Sequence, residues 1–280
     1  MPELPEVERG RKLAERVALG RVISKVRCAK DEIVFDGATP AKMRRALADR
    51  KVIAVRRRGK QIWFELDKRP WPLFHFGMTG GFFVPGESAL RLSSSPQEEK
   101  TEWPPRFAKI HLYLDDGGEL VMTNKRRLGR IRLRKDTDNE PPISELGFDP
   151  LLDLPTPARF VEMIRKRRVV LKSVLLDQSF AAGVGNWIAD EVLYQAKLDP
   201  RKRANTLSVQ EARRVRSCLK RIIEKAVSVD ADKKRFPRTW LFHHRWGKNS
   251  EAKTARGERI EHITLAGRTT AWVPEVQRPR

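Results

Sequence analysis

Cysteine is scarce in this sequence, and long apolar runs are absent. Cys28 and Cys218 are the only cysteines among 280 residues, and neither has a partner at metal-ligand spacing. This excludes a disulfide framework and favours a reducing compartment. No segment is long and apolar enough to span a bilayer, and the first residues lack the apolar core of a signal peptide. The sequence therefore predicts a soluble intracellular protein without a membrane anchor or a zinc site.

Acidic residues are few relative to basic ones. The chain carries 58 Lys and Arg against 36 Asp and Glu, a formal net charge of +22. Such a field attracts polyanions and supplies affinity for phosphate backbones that does not depend on sequence. With 40% hydrophobic residues, 7 Trp and 12 Phe, the chain can also bury a core, which excludes a disordered basic tail. A folded protein with a polyanionic partner is expected.

The character of the sequence changes near residue 136, where strand-like segments give way to a loop and then to helical periodicity. Helices are expected over residues 7–18 and 41–49, and an exposed loop over 87–105. Five β-branched or alternating runs in the first part predict a sandwich or barrel. These runs are 22–26, 51–55, 61–66, 109–114 and 119–122.

Helix signals dominate the second part. Thr156 and Pro157 are typical of an N-cap and a first turn, and predict a helix toward 168. Ser208 begins a capping box and predicts a helix to about 227. Between them, a short apolar helix is expected to end in a glycine turn, after which Asn186 begins another helix. Free N–H groups at such an end suit a phosphate. An ordinary helical hairpin with Asn186 as N-cap also accounts for the spacing.

The first six residues suggest chemistry. Removal of Met1 leaves Pro2 as a free secondary amine beside Glu3 and Glu6. Such an amine can attack a sugar C1′ or an aldehyde without a side-chain nucleophile. Condensation of a secondary amine gives a cationic iminium, an electron sink that drives elimination at the neighbouring carbon. The alternative is a frayed terminus whose carboxylates only favour the start of a helix.

Six segments, in order along the chain, resemble the formamidopyrimidine-DNA glycosylase family. They are Pro2-Glu3-Leu4-Pro5-Glu6, Arg58-Gly59-Lys60, His75-Phe76-Gly77-Met78-Thr79-Gly80, Arg126-Arg127-Leu128-Gly129, Gly183-Val184-Gly185-Asn186 and Ala266-Gly267-Arg268-Thr269-Thr270. The resemblance implies a bifunctional enzyme that removes oxidised bases, such as formamidopyrimidines and 8-oxoguanine. The enzyme then cuts the strand by β- and δ-elimination at the abasic site.

The resemblance also implies an α+β fold, which agrees with the change in character near residue 136. We expect an N-terminal catalytic β-sandwich with flanking helices over 1–135, a connection over 136–155, a helix-two-turns-helix domain over 156–235 and a β-hairpin finger over 236–280. The expected partner is damaged double-stranded DNA. The chain is expected to act as a monomer, without a membrane, a metal or a small-molecule cofactor.

The expected catalytic roles follow from the resemblance. Pro2 resembles the Schiff-base nucleophile, Glu3 the acid/base that moves protons to and from the sugar, and Glu6 an accessory carboxylate that positions the site. Lys60 resembles a phosphate contact near the lesion that assists elimination. On composition alone, Lys60 is one member of the solvated basic run 56–60.

The expected DNA contacts follow in the same way. Asn186 and Arg268 resemble residues that hold phosphates of the damaged strand and help to turn the nucleotide out. Met78, in a turn flanked by glycines, resembles the wedge inserted into the gap. Arg126 resembles the side chain that hydrogen-bonds the widowed opposite base. His75 is expected to contact phosphate or to support the loop.

Three departures from the family pattern bear on function. Leu128 stands where the family usually carries Phe, so weaker stacking into the gap is expected. Residues 246–277 contain none of the four cysteines of the usual finger, so we expect a zincless hairpin held by packing, with Arg268 on the connection between its strands. Only the short segment 228–238 occupies the place of a longer loop over flipped 8-oxoguanine. An open base pocket that favours formamidopyrimidines and further-oxidised guanine products is expected.

A zincless finger is a feature of plant and some other eukaryotic relatives, which favours a repair enzyme of the nucleus. Two other functions stay open. One is an endonuclease VIII-like enzyme acting on oxidised pyrimidines, against which Leu4 stands in place of the glycine typical of that branch. The other is a noncatalytic damage-specific DNA-binding protein, which requires Met1 to be retained or Glu3 to be idle.

Overall fold

A computed structural model describes residues 1–87, 102–247 and 251–278, which fall into two units, Met1–Glu145 and Leu146–Arg280. The predicted loop over 87–105 lies mostly outside the described residues. The first unit is rich in strands. Its elements are α1 (Leu4–Ala18), β1 (Val22–Cys28), α2 (Pro40–Leu47), β2 (Arg50–Arg58), β3 (Gln61–Leu66), β4 (Trp71–His75), β5 (Gly81–Phe83), β6 (Ala108–Leu114), β7 (Glu119–Thr123) and β8 (Arg130–Arg134).

The eight strands form an antiparallel sheet in the order β5-β7-β6-β1-β2-β3-β4-β8. Strands β1 and β2 share only two paired positions, so the sheet consists of two four-stranded halves joined at this seam. Buried side chains of both halves form one apolar core, in which Phe64, Phe74 and Phe82 pack ring against ring. The predicted strand-rich sandwich with flanking helices is confirmed.

Three strands were not predicted. Strand β5 has only three residues, and β4 contains Pro72, which cannot donate to a strand ladder. In β8, arginines alternate with Ile131 and Leu133. That alternation is a strand signal, but it contains only two apolar residues, and Ile131 alone is fully buried.

Helix α1 begins at Leu4, three residues before the predicted start. The reason is a capping box: the N–H of Glu3 donates to Glu6 Oε2 at 3.0 Å. Within the helix, a Cβ added to Gly10 would lie 2.8 Å from the Phe76 ring. The helix therefore packs closely on the residues that follow β4.

The second unit is helical and ends in a hairpin. Its elements are α3 (Pro157–Arg165), α4 (Leu171–Leu176), α5 (Asn186–Gln195), α6 (Val209–Ser228), β9 (Glu261–Leu265) and β10 (Arg268–Trp272). Helix α6 has the predicted capping box at Ser208. An aromatic cluster of Trp187, Phe236, Trp240 and Phe242 packs around α5. No helix in the described ranges is long and apolar enough to cross a bilayer.

The hairpin of β9 and β10 is the predicted finger, with one difference. Arg268 was expected on the connection, but it is the first residue of β10 and pairs with Leu265. The turn consists of Ala266 and Gly267, both at positive φ. A tight two-residue turn is favoured because its twist matches that of the strands. Across the described part of the chain, no group of three or more His, Cys, Asp or Glu side chains could hold a metal ion.

Candidate active site

The chain terminus lies at the first turn of α1. Pro2 is buried and Glu3 is only 2% exposed, whereas Met1 is partly exposed. Met1 is present in the structure, so its α-amine lies one residue before the amine that removal of Met1 would expose on Pro2. Its surroundings still report the charges that a terminal amine meets at this end of the helix.

Those surroundings lower the pKa of the terminal amine. Burial is the largest cause, and the positive charges of Lys60 and Arg126 act in the same direction. The carboxylates of Glu3 and Glu6 oppose them without reversing the shift. A neutral amine is the nucleophilic form, so this setting favours attack.

Glu6 differs from an ordinary surface carboxyl. Burial, and then the neighbouring charge of Glu3, raise the pKa of Glu6 to about 8, although backbone N–H groups stabilise its charged form. The carboxyl is therefore mostly protonated at neutral pH. In that form it can donate a hydrogen bond and adds little negative charge beside the amine.

Lys60 lies in the two-residue turn between β2 and β3, after Gly59 at a φ of 56°. The positive charge of Lys60 also affects the pKa of His75. Burial first, and then the charges of Lys60, Arg132 and Arg130, lower the pKa of His75 to about 4. At neutral pH, His75 is thus a neutral ring that can donate a hydrogen bond to a phosphate but cannot form an ion pair with one.

Two loops carry the residues expected in the DNA gap. Met78 lies in the 77–80 turn after β4 and is partly buried. Arg126 and Leu128 lie between β7 and β8, where Arg126 is exposed and Leu128 is 44% exposed. Leu128 is therefore not part of the apolar core, and its side chain can contact a binding partner.

A side chain that the sequence motifs did not reveal fastens these two loops together. Asn124 is fully buried, its Nδ2 donates to the Phe76 carbonyl at 2.8 Å, and its Oδ1 accepts from the Gly129 N–H at 3.0 Å. A Cβ on Gly77 would lie 2.5 Å from the nitrogen of Gly129. The loops are therefore held in contact. A single polar residue after an apolar strand carried no motif signal for this role.

In the second unit, Asn186 begins α5 as predicted, but the N-cap is Gly185, so the alternative in which Asn186 is the N-cap is wrong. The Nδ2 of Asn186 donates to the Thr269 carbonyl at 2.9 Å, and its Oδ1 is buried without a hydrogen-bond partner among the residues that the structure describes. Arg268 directly precedes Thr269 and is exposed. The two expected phosphate-binding residues thus meet at one backbone position.

Buried ion pairs, which were not predicted from the sequence, hold the hairpin in addition to apolar packing of Ala271 and Val273 with Tyr194 and Leu241. Asp190 of α5 is almost fully buried, and its carboxylate lies 2.6 Å from Lys172 Nζ and 2.5 Å from Arg245 Nη2. It also accepts the N–H of Ala271 in β10 at 3.1 Å. Lys172 donates to Thr270 Oγ1 at 2.7 Å. A buried ion network therefore joins the hairpin to α4 and α5.

Comparison with known proteins shows what these two units are. Residues 1–131 match the formamidopyrimidine-DNA glycosylase N-terminal domain, and residues 146–237 match the H2TH domain of the same glycosylase. The formamidopyrimidine-DNA glycosylase of Arabidopsis thaliana is 43% identical over 278 residues, which cover 99% of this chain and 71% of that protein. That of Heliobacterium modesticaldum is 33% identical over 296 residues, which cover 99% and 100%.

Solved structures are also similar. Lactococcus lactis formamidopyrimidine-DNA glycosylase, noncovalently bound to DNA with an AP site, has a TM-score of 0.80 at 25% identity, covering 99% of this chain and 100% of that one. MutM in complex with DNA that contains carbocyclic 8-oxo-G has a TM-score of 0.80 at 26% identity, with the same coverage.

Together, these domains and relatives define a DNA glycosylase with AP lyase activity, an enzyme of base excision repair. The chain belongs to the formamidopyrimidine-DNA glycosylase family. The resemblance noted from its motifs, including the plant-type branch, is confirmed.

Proposed function

We propose that this enzyme uses Pro2, after removal of Met1, to excise oxidised purines from double-stranded DNA and to cut the strand at the resulting abasic site. The setting of the chain terminus carries the proposal. Burial and the charges of Lys60 and Arg126 lower the pKa of the terminal amine there. These groups favour a neutral nucleophile at the point where the sequence supplies a secondary amine.

In the proposed reaction, the Pro2 nitrogen attacks C1′ and the base leaves with the electron pair of the glycosidic bond. The N–H proton that Pro2 loses on bond formation passes to Glu3, which gives it to O4′ as the sugar ring opens and leaves a cationic iminium between Pro2 and C1′. Loss of a C2′ proton then expels the 3′ phosphate by β-elimination, and δ-elimination releases the 5′ phosphate. We assign Lys60 to the phosphate beside the lesion, and Glu6 to a hydrogen bond that holds the site together.

The proposed DNA contacts divide into phosphate and gap contacts. Asn186 has a second amide hydrogen besides the one donated to Thr269, and we assign it to a phosphate together with Arg268. His75 donates to a phosphate as a neutral ring. In the gap left by the flipped nucleotide, Met78 and Leu128 fill space and Arg126 hydrogen-bonds the opposite base.

Trapping with borohydride tests the mechanism, because only an imine or iminium is captured. Purified protein is incubated with a duplex that holds one abasic site, and the modified peptide is mapped by mass spectrometry. An adduct at Pro2 is expected. A version with an uncleaved N-terminal extension lacks the free amine and serves as the matched control, for which no adduct is expected. Strong binding without an adduct, in a chain that begins at Pro2, would instead support a noncatalytic DNA-binding protein.

We further propose that formamidopyrimidines and further-oxidised guanine products are excised faster than 8-oxoguanine. The segment after α6 supports this ranking, because it contains only a short helical turn before Phe236, which is buried in the aromatic cluster. Little chain is left there to cover an extruded base.

Single-turnover rates on these lesions in one duplex context test the ranking. An oxidised pyrimidine belongs in the set, since L. lactis Fpg has been crystallised with DNA that contains one. A fastest rate on 8-oxoguanine contradicts the ranking. A fastest rate on the pyrimidine favours the endonuclease VIII-like alternative.

We propose the nucleus as the setting of this activity. The excess of basic residues supports a partner as abundant as chromosomal DNA. Imaging of a fluorescently tagged full chain in eukaryotic cells tests this, and a signal confined to an organelle would contradict it.

A further inference from the structure

Arg127 has an unfavourable backbone conformation at the centre of the gap loop, which we define as residues 125–129. It lies between Arg126 and Leu128, and its φ is 55°, in the left-handed region that bulky residues rarely adopt. Such a conformation persists only where its surroundings hold it. The direction in which the neighbouring side chains leave the backbone depends on it.

One carboxylate, that of Asp31, holds the side chain of Arg127. Its Nε donates to Asp31 Oδ1 at 3.2 Å and Oδ2 at 3.1 Å, and its Nη2 donates to Oδ1 at 3.1 Å. The Asp31 side chain is only 5% exposed, and it also accepts from Lys109 Nζ at 2.7 Å and from the Val34 N–H at 3.2 Å. Forked contacts of this kind fix orientation as well as distance.

The charge of Asp31 is secure across the physiological range. Burial alone would raise its pKa, but the hydrogen bonds from Lys109, Arg127 and the Val34 backbone outweigh burial and lower the pKa to about 2.

Asp31 itself is fixed by backbone bonds that do not involve the ion pair. The Ile131 N–H donates to the Val34 carbonyl at 2.7 Å, and the Asp36 N–H donates to the Ile131 carbonyl at 3.1 Å. The 31–36 turn therefore runs along β8, the strand that directly follows the gap loop. Asp31 is a rigid anchor beside that loop, whereas Arg127 is the half-exposed side chain drawn to it.

We propose that Asp31 is a positioning residue for opposite-base discrimination: by holding Arg127, it fixes the gap loop in the conformation from which Arg126 reaches the widowed base and Leu128 fills the gap. This inference rests on the proposed roles of Arg126 and Leu128. Preorganisation matters more here than in relatives with Phe, because leucine supplies less stacking to hold the loop in DNA.

The test measures equilibrium binding to duplexes with a tetrahydrofuran abasic analogue opposite cytosine or adenine. Because the analogue has no base to excise, the readout does not depend on catalysis. Asp31→Asn keeps the size of the side chain but loses its charge. We expect it to lower the cytosine-to-adenine affinity ratio about tenfold, the order of discrimination that one bidentate arginine–base contact supplies.

Asp36→Asn is the matched control. Asp36 lies in the same turn, but its carboxylate binds Arg132 of β8, at 2.7 Å, rather than Arg127 of the gap loop. This variant should keep the wild-type ratio. Arg127→Lys keeps the charge without the fork and should give an intermediate ratio. Arg127→Gln removes the same ion pair by changing its half-exposed partner, so this variant should fold even if Asp31→Asn does not. It should lower the ratio as much as Asp31→Asn.

The outcomes separate this inference from the proposed function. Unchanged ratios in both Asp31→Asn and Arg127→Gln, or a wild-type protein that does not discriminate between the two bases, would overturn the role of Asp31. If the wild-type protein discriminates between cytosine and adenine but yields no borohydride adduct, the Pro2 mechanism is overturned. The role of Asp31 is then still decided by the affinity ratios of the variants. A general loss of stability lowers both affinities together and does not change their ratio.

Discussion

Replacing Asp190 by asparagine tests whether the buried ion network holds the C-terminal hairpin. The carboxylate of Asp190 faces Lys172 and Arg245 and accepts the N–H of Ala271. Removing one partner from a buried ionic group costs about 3–5 kcal/mol, because the remaining charges keep their desolvation penalty. A domain has only about 5–15 kcal/mol of stability. Asp190→Asn should therefore open the hairpin often enough to be measured.

Hydrogen exchange in the full chain, followed by mass spectrometry on peptides that cover β9 and β10, measures this opening. A loss of about 3 kcal/mol corresponds to exchange that is faster by about 100-fold or more. Asp177→Asn is the control in the same unit, because Asp177 and Arg167 form an exposed pair at 3.6 Å. Such pairs contribute about 0–1 kcal/mol, so exchange in the hairpin should hardly change.

A second arm separates charge from shape. Adding Lys172→Met and Arg245→Met to Asp190→Asn removes both cations and leaves an acceptor for the Ala271 N–H. Apolar side chains of similar volume often replace a buried ion network at little cost, so the triple variant should recover much of the protection. If Asp190→Asn exchanges no faster than Asp177→Asn, the network does not hold the hairpin. A triple variant that exchanges faster than Asp190→Asn would show that charge is not the cause.

Three further outcomes are expected. The pKa of Glu6 is about 8 in the folded chain, against an ordinary value of 4.5. Between these pH values the folded chain therefore binds a proton that the unfolded chain does not, and the stability that this proton contributes to the wild type is lost as pH rises. Glutamine does not titrate, so the free energy of unfolding of Glu6→Gln, measured from melting curves, should increase relative to that of the wild type from pH 5 to pH 8.5. A difference that stays constant with pH would contradict the raised pKa of Glu6. Asn124→Ala leaves the Phe76 carbonyl and the Gly129 N–H without their partner, and each should lower the free energy of unfolding in denaturant by about 1–3 kcal/mol. A total loss below about 0.5 kcal/mol would show that Asn124 does not hold the two loops together. Dialysis against a chelator should leave excision unchanged, and a loss that zinc restores would overturn the zincless finger.

Local signals made much of the fold predictable. The capping box at Ser208 and the two-residue periodicity of β3 and β6 each depend on residues a few positions apart, so the sequence displays them directly. Strand β8 has the same alternation, but it is only five residues long and contains two apolar residues, so its signal is weak and it was not predicted. Its place in the sheet depends on pairing with β4, which is distant in sequence.

The parts of the site that sequence reasoning missed depend on long-range pairs. Asp31 meets Arg127 across 96 positions, and Lys172 meets Thr270 across 98. No spacing rule covers such separations, and each partner alone resembles an ordinary surface residue. The family motifs named residues expected to touch DNA. They did not name Asp31, Asn124 or Asp190, whose contacts lie within the protein.

The ion network also makes the hairpin less sensitive to oxidation than a finger that is held by zinc. A finger held by zinc depends on cysteine thiolates, which the oxidants that damage guanine also attack. Here the hairpin is joined to the helices by a carboxylate, an ammonium and a guanidinium, none of which is oxidised under those conditions, and burial protects their attraction from salt. The two cysteines are poor targets as well. Burial raises the pKa of Cys28 to about 11 and also raises that of Cys218, so both stay in the less reactive thiol form. The fold therefore keeps its C-terminal hairpin independent of thiol chemistry, which suits the proposed activity on oxidised purines.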